Sequence, residues 1–305
     1  MTSTRHRVVA ILCSLTLLAG CVGDGLWKGP DNGPIPRGTE LLFSPAPHAF
    51  RRATAPEPVR RGERSERFEL RNGDCGGSDC GNPRYRAELR NVSDDARIGQ
   101  DIWYGWSFLN QNVPSFSEDS ALRNVFGQWK VSGDARAAIR LIQMGRGAGN
   151  WRGCDPTVCR QTNDTASDLV IQLDDMANAK GWGDRQNDGH ICRLFSLEQT
   201  KGRWMDIVLN TNFGAGPDGY LNVWVNGEQK CAYRGQIVAT ADPGLKAVPN
   251  FRHGIFASYT ERWDSTRGAA PKPTMVVYYD EILSGRTRGD VDTRLREMSG
   301  LPPKD

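Results

Sequence analysis

The stretch GYLNVWVNGEQ (residues 219–229) decides the fold. Leu221, Val223 and Val225 alternate with Asn222, Trp224 and Asn226, and a period of two marks a strand with one buried face. Asn226-Gly227 then offers the two residues that a tight hairpin turn needs. Working outward in both directions, similar short segments recur between Gly, Asp, Asn and Pro. They are FELR (68–71), RYRAELRN (84–91), DIWYGWSFLN (101–110), NVFGQWKV (124–131), AAIRLIQM (137–144), DLVIQL (168–173), ICRLFSL (191–197), RWMDIVLNTNF (203–213), HGIFASYT (253–260) and TMVVYYDEILSG (274–285). With the first stretch they make eleven predicted strands and no sustained helical pattern. That predicts an all-β domain, a β-sandwich or jelly roll. In DIWYGWSFLN, Trp106 shares a face with Ile102, Tyr104 and Phe108, which predicts core. The one helix candidate is VDTRLREM (291–298), in a C-terminal tail of residues 291–305.

The 305-residue chain has room for one large β-domain, predicted over residues 66–290. Its formal net charge is +3, and Arg5 and Arg7 account for two of those charges. That balance excludes a general nucleic-acid binder, so any electropositive site must be local. Nine Trp and 34 Gly suit sheets and turns, and exposed Trp suits sugar rings.

Residues 1–20 read as a leader. Arg5, His6 and Arg7 precede the apolar run VVAILCSLTLLAG (8–20), which is too short to span a bilayer as an ordinary helix. The sequence LLAGC (17–21) resembles a bacterial lipoprotein signal, which implies cleavage before Cys21 and lipidation of its thiol. The expectation is an exported protein, lipid-anchored in the cell envelope, with Val22 favouring the outer membrane. Residues 22–65 are rich in Pro, Gly and Arg; with Cys21 they are predicted to be a tether, with one short strand at ELLF (40–43). Export implies an oxidising compartment. Six cysteines remain: Cys75 and Cys80 form one close pair, Cys154 and Cys159 another, and Cys192 with Cys231 is left as the third predicted bridge. The spacings do not suit zinc.

Residues 82–91, NPRYRAELRN, place Arg84, Arg86, Glu88 and Arg90 on one strand face and Tyr85, Ala87 and Leu89 on the other. A cationic stripe with one acid inside it is either a solvated face of cross-strand ion pairs or the wall of an anion site.

RYRAEL, VFGQWK, KGRWMDIVLNTNF with DGYLNVWVNGE, FRHGIFASY and VVYYDEILSG, in that order, resemble the heparin lyase I-like polysaccharide lyases and, more distantly, jelly-roll alginate lyases. The resemblance covers roughly residues 66–286. It implies a concanavalin A-like sandwich whose concave groove grips an anionic polysaccharide, cleaved by β-elimination at a uronic acid. In that reaction negative charge spreads onto a carboxylate as the neighbouring proton leaves, and fixed cations lower the barrier. The expected roles follow. Arg86 neutralises the carboxylate through its planar fork, Glu88 orients the arginines, and Arg84 and Arg90 line the groove. Gln128 matches the family glutamine that shares the carboxylate. Lys130 stands where the family commonly has His, and serves as base or as added positive charge. Arg252 takes a family Lys position, and Phe256 takes the position of a Tyr, so the usual proton carrier is lost there. Replacements for it are His190, Tyr259 and then His253. Tyr259 requires a bulge near Gly254 to reach the groove face. Trp224 suits sugar stacking or a polar sheet surface.

No cofactor and no metal is expected, and the chain is expected to act as a monomer. Two other readings stay open: a non-catalytic carbohydrate-binding lipoprotein, and a glycoside hydrolase. The hydrolase needs two suitably spaced carboxylates, and Asp174-Asp175 and Asp280-Glu281 are adjacent acids facing opposite ways.

Overall fold

The computed structural model describes residues 39–43, 46–82, 84–91, 96–116, 122–130, 137–143, 152–153, 167–173, 190–238, 249–268 and 270–305. These form fifteen strands: β1 (Thr39–Phe43), β2 (Phe50–Ala53), β3 (Ser65–Leu70), β4 (Tyr85–Asn91), β5 (Ile102–Asn110), β6 (Arg123–Lys130), β7 (Ala137–Gln143), β8 (Arg152–Gly153), β9 (Asp168–Leu173), β10 (His190–Ser196), β11 (Trp204–Thr211), β12 (Tyr220–Val225), β13 (Glu228–Arg234), β14 (Asn250–Ser258) and β15 (Met275–Gly285). Three short α-helices are α1 (Thr260–Arg267), α2 (Arg288–Val291) and α3 (Thr293–Met298), and Gly77–Asp79 form a single 3-10 turn. All eleven predicted strands are present.

The hairpin that opened the reading is formed. Asn226 (φ 51°) and Gly227 (φ 87°) are both left-handed, and Val225 lies opposite Glu228. Strand order is β1-β4-β14-β6-β7-β9-β10-β8 in an eight-stranded sheet and β13-β12-β11-β5-β15-β3-β2 in a seven-stranded one. Every described pairing is antiparallel except β8 with β10. The two sheets pack face to face as a sandwich. Between them lie Tyr104, Trp106 and Phe108 from one sheet and Phe126, Trp129 and Phe251 from the other. Trp129 stacks on Phe251 at 4.6 Å and meets Trp106 at 5.8 Å. Such pairs each add about 0.5–1.5 kcal/mol beyond simple burial.

Two boundaries differ from the sequence reading. The predicted tether (21–65) and tail (291–305) both contribute to the fold. β1 extends the eight-stranded sheet beside β4, and β2 forms the edge of the other sheet. Arg60 grips Asp206 through Nε and Nη2 (3.1 and 3.0 Å) and reaches Glu297 of α3, while Arg61 pairs with Glu281. Asp305 accepts the backbone N–H of Glu63. The Pro/Arg-rich composition suggested a solvated linker because the acids that hold these arginines lie about 150–240 residues further along the chain.

The Cys75–Cys80 bridge is formed, and Cys154 and Cys159 lie outside the described residues. The predicted Cys192–Cys231 bridge is not formed. Cys192 sits on β10 and Cys231 on β13, one in each sheet, and the two buried thiols contact each other without a bond. The Cys192 Sγ donates to the Lys230 carbonyl at 2.8 Å. Burial and the contact with Cys192 push the Cys231 thiol well above its ordinary pKa.

Burial also pushes the Asp280 carboxyl up to about 7, although it accepts backbone N–H groups from Arg60, Arg61 and Glu281. The folded protein therefore holds a proton that the unfolded chain releases near pH 4. Stability from this site is fullest near pH 4, falls as pH rises to about 7, and levels off above. Thermal melts of wild type and Asp280→Asn between pH 4 and 8 should differ by this slope; parallel curves would show that Asp280 titrates normally.

Candidate active site

Strands β4, β14, β6 and β7 lie side by side, and their outward side chains meet in a cleft of about 360 Å³. Asn82, Arg84 and Arg86 come from β4 and the residues before it. Arg123, Gln128 and Lys130 come from β6, Ala137 and Arg140 from β7, and Arg252, Phe256 and Ser258 from β14. Tyr259 and Glu261, at the start of α1, complete the lining. Alternation explains β4, where Ala87 and Leu89 enter the core. On β6 a register shift between Val125 and Gly127 keeps Gln128 and Lys130 outward while Trp129 is buried. On β14 a bulge lies between His253 and Phe256. Gly254 (φ 127°) occupies it, and a Cβ there would stand 2.3 Å from the Ala87 carbonyl oxygen.

Arg86 is held on three sides in the cleft. Its Nε and Nη2 donate to the two oxygens of Asp79 (2.7 and 3.2 Å), and its Nη1 donates to Glu88 (2.9 Å). The guanidinium lies 4.2 Å from the ring centroid of Phe256, a favourable cation–π geometry. Burial opposes its charge, but Glu88 and Asp79 outweigh that, and its pKa rises above the ordinary arginine value. Glu88 is only 1% exposed and also accepts Gln128 Nε2 at 2.5 Å. One buried carboxylate thus orients both Arg86 and Gln128.

Tyr259 reaches the cleft by a different device. It has left-handed backbone (φ 61°, ψ 34°) at the N-terminus of α1 and is 46% exposed. The Arg262 guanidinium lies 4.8 Å from its ring centroid. A non-glycine residue in that conformation is strained, and such strain concentrates at functional sites.

The sequence profile of the family described as polysaccharide lyase matches residues 43–283. The chain belongs to the polysaccharide lyase family. No curated protein matches the lyase in sequence. Among solved structures it is similar to an endo-β-1,4-glucuronan lyase from the fungus Trichoderma reesei, at TM-score 0.54 and 15% identity, over 89% of this chain and 94% of that one. It also aligns with a family 7 alginate lyase, A1-II′, at TM-score 0.45 and 12% identity over 73% and 80% of the two chains. A marine family 7 alginate lyase from Zobellia galactanivorans aligns at TM-score 0.44 and 12% identity over 72% and 77%. At 15% identity the likeness to the glucuronan lyase is one of fold.

The lyase brings Arg84, Arg86, Gln128, Lys130, Arg252 and Tyr259 together in one cleft. Four other candidates need correction. His253 faces the core, 1% exposed, with Nε2 2.6 Å from Glu66 and its ring packed against Phe68, Phe251 and Tyr279. His190 begins β10, two strands beyond β7, and its ring packs on Tyr233 of the other sheet at 4.6 Å. Trp224 lies on the seven-stranded sheet, stacked on Trp103 with Arg288 over its ring. Arg90 shares the β4 face but does not line the cleft. Glu88 is not among these four: it lies under Arg86 and Gln128 and holds both, the arrangement expected of it.

The sequence reading missed Asp79, Arg123, Arg140 and Glu261. Arg123 and Arg140 carried no period-two signal: the shift on β6 puts Arg123 off the alternation of Gln128 and Lys130, and the two reach the cleft opposite Ser258 and Gln128 through cross-strand pairing. Asp79 sits in a loop, where no periodicity points to its partner.

Proposed function

We propose that this lyase cleaves an anionic, uronic-acid-containing polysaccharide by β-elimination. The observation that carries the reading is a cleft lined by Arg84, Arg86, Arg123, Lys130, Arg140 and Arg252 beside the phenol of Tyr259. Arg86 and Gln128, oriented by Glu88, receive the uronate carboxylate. Tyr259 relays the C5 proton to the departing O4. The electrons of the C5–H bond close a C4–C5 double bond as the C4–O4 bond breaks, and O4 leaves with the relayed proton. Charge building on the carboxylate is met by donors that need no rearrangement. Arginines cannot carry this proton at neutral pH, which leaves Tyr259, Lys130 and Glu261 among the described cleft residues. Tyr259 is assigned because its left-handed backbone places a half-exposed phenol ring in the cleft lining.

The narrower kinship with heparin lyase I-like enzymes belongs to the same proposal. It rests on the VFGQWK run and on Gln128, with Lys130, Arg252 and Phe256 as departures. Phe256 serves instead as the platform beneath Arg86. We also propose that the enzyme is exported and anchored in the outer membrane through lipidated Cys21, on the strength of the LLAGC sequence after its apolar run.

The test is a panel of polyuronates, glucuronan and alginate among them, followed by ultraviolet absorbance of the unsaturated uronate. A lyase generates the chromophore and new reducing ends together. Reducing ends alone would indicate hydrolysis. Retention on the polymer with neither product would indicate a binding protein.

A further inference from the structure

The Cys75–Cys80 disulfide closes a loop whose carboxylate, Asp79, points back to the cleft. Three observations bear on its purpose. Asp79 engages Arg86 side-on through both of its oxygens, at 2.7 and 3.2 Å, and is buried. The other end of the loop is fixed independently: the Asp74 carboxylate accepts from Arg71 N–H and meets His48 Nε2, each at 2.7 Å. The backbone N–H of Arg86 donates to the Asp74 carbonyl at 3.1 Å, so the loop holds this residue by main chain and side chain together. The disulfide joins the residues next to these two acids.

A guanidinium has five N–H donors. Asp79 takes Nε–H and one on Nη2, and Glu88 takes one on Nη1. Among the described residues this leaves one donor on each Nη, the number that a bidentate carboxylate accepts. Without Asp79, the guanidinium could turn about its long side chain and present other edges to the cleft.

We infer that Asp79, held by the Cys75–Cys80 disulfide, is a positioning residue that fixes the Arg86 guanidinium with its last two donors toward the substrate carboxylate. This rests on the β-elimination reading above. The loop thereby makes turnover depend on a disulfide that contacts no substrate. A displacement of about 1 Å in a clamp of this kind can cost on the order of 10²-fold in rate.

The experiment measures kcat and KM for wild type, Asp79→Asn, Asp79→Ala, Arg86→Lys and the Asp79→Asn/Arg86→Lys double variant, with thermal melts for each. Asp79→Asn keeps the shape and loses the charge. It should lower kcat about 10- to 100-fold with KM changed less than about threefold, because the other cations still hold the polymer. In the Arg86→Lys background the same substitution should cost almost nothing further, since Asp79 acts through Arg86. Reducing the disulfide with a dithiol, in folded protein, should reproduce the fall in kcat in wild type and leave Asp79→Asn unchanged. Additive losses in the double variant, or wild-type kcat in Asp79→Asn, would overturn the inference while the lyase reading stood. If wild type releases no unsaturated product, the lyase reading fails and this inference fails with it. Should Asp79→Ala not fold, Asp79→Asn and the reduction arm decide.

Discussion

Arg86→Lys is expected to fold and to lose about 10²–10³ in kcat on a polyuronate, the loss typical of removing one preorganised donor to a developing oxyanion. Lysine keeps the positive charge but has no planar fork. Its ammonium has three donors, and Asp79 and Glu88 together already claim three from Arg86. None would remain for the substrate. Arg86→Ala is the more obvious variant and the less informative one. It would leave Asp79 and Glu88 buried without their cation, a defect worth about 3–5 kcal/mol, so lost activity could reflect lost structure. The pairing of an unchanged melting temperature with a collapsed kcat in Arg86→Lys is therefore the outcome to seek. A lysine variant with near-native kcat would remove the carboxylate clamp from the mechanism.

Tyr259→Phe should cost about 10²–10⁴ in kcat, the range for losing a positioned proton carrier. The change deletes one oxygen from a half-exposed ring and leaves the left-handed backbone and the Arg262 contact in place. KM and thermal stability should hardly move, because neither the cationic walls nor the core is touched. Lys130→Met, measured alongside, separates the two candidates on this cleft. If Tyr259→Phe turns over normally and Lys130→Met does not, the proton passes through the lysine. If Glu261→Gln alone is inactive, the carboxylate of α1 carries it.

What the sequence could show followed from alternation. Arg84, Arg86, Gln128 and Arg252 reach one cleft because period-two runs on β4, β6 and β14 keep their outward residues together. Alternation also explains the error at His253: its parity with Phe251 and Ile255 points it inward, beside Phe68 and Tyr279. Tyr259 was legible as a residue but not as a route. A bulge does lie beside Gly254, yet Phe256 and Ser258 keep the cleft face beyond it, and the left-handed turn at Tyr259 itself redirects that side chain. His190 could not be placed from sequence, since the strand order that removes β10 from the cleft depends on long-range pairing. Arg60 and Asp79 were hidden for a different reason. Each is explained by an ion pair, and ion pairs leave no periodic trace in the chain.

The grip of Arg60 and Arg61 on Asp206, Asp280 and Glu281 bears on how this enzyme should be produced. A recombinant fragment starting at residue 66, the natural choice from composition alone, would strip Asp206 and Glu281 of arginine partners and Asp280 of two backbone N–H donors, and expose the flank of β3 that β2 covers. Unpaired buried carboxylates and an open sheet edge both favour insoluble material. Cloning boundaries should therefore begin ahead of Thr39 and run through Asp305.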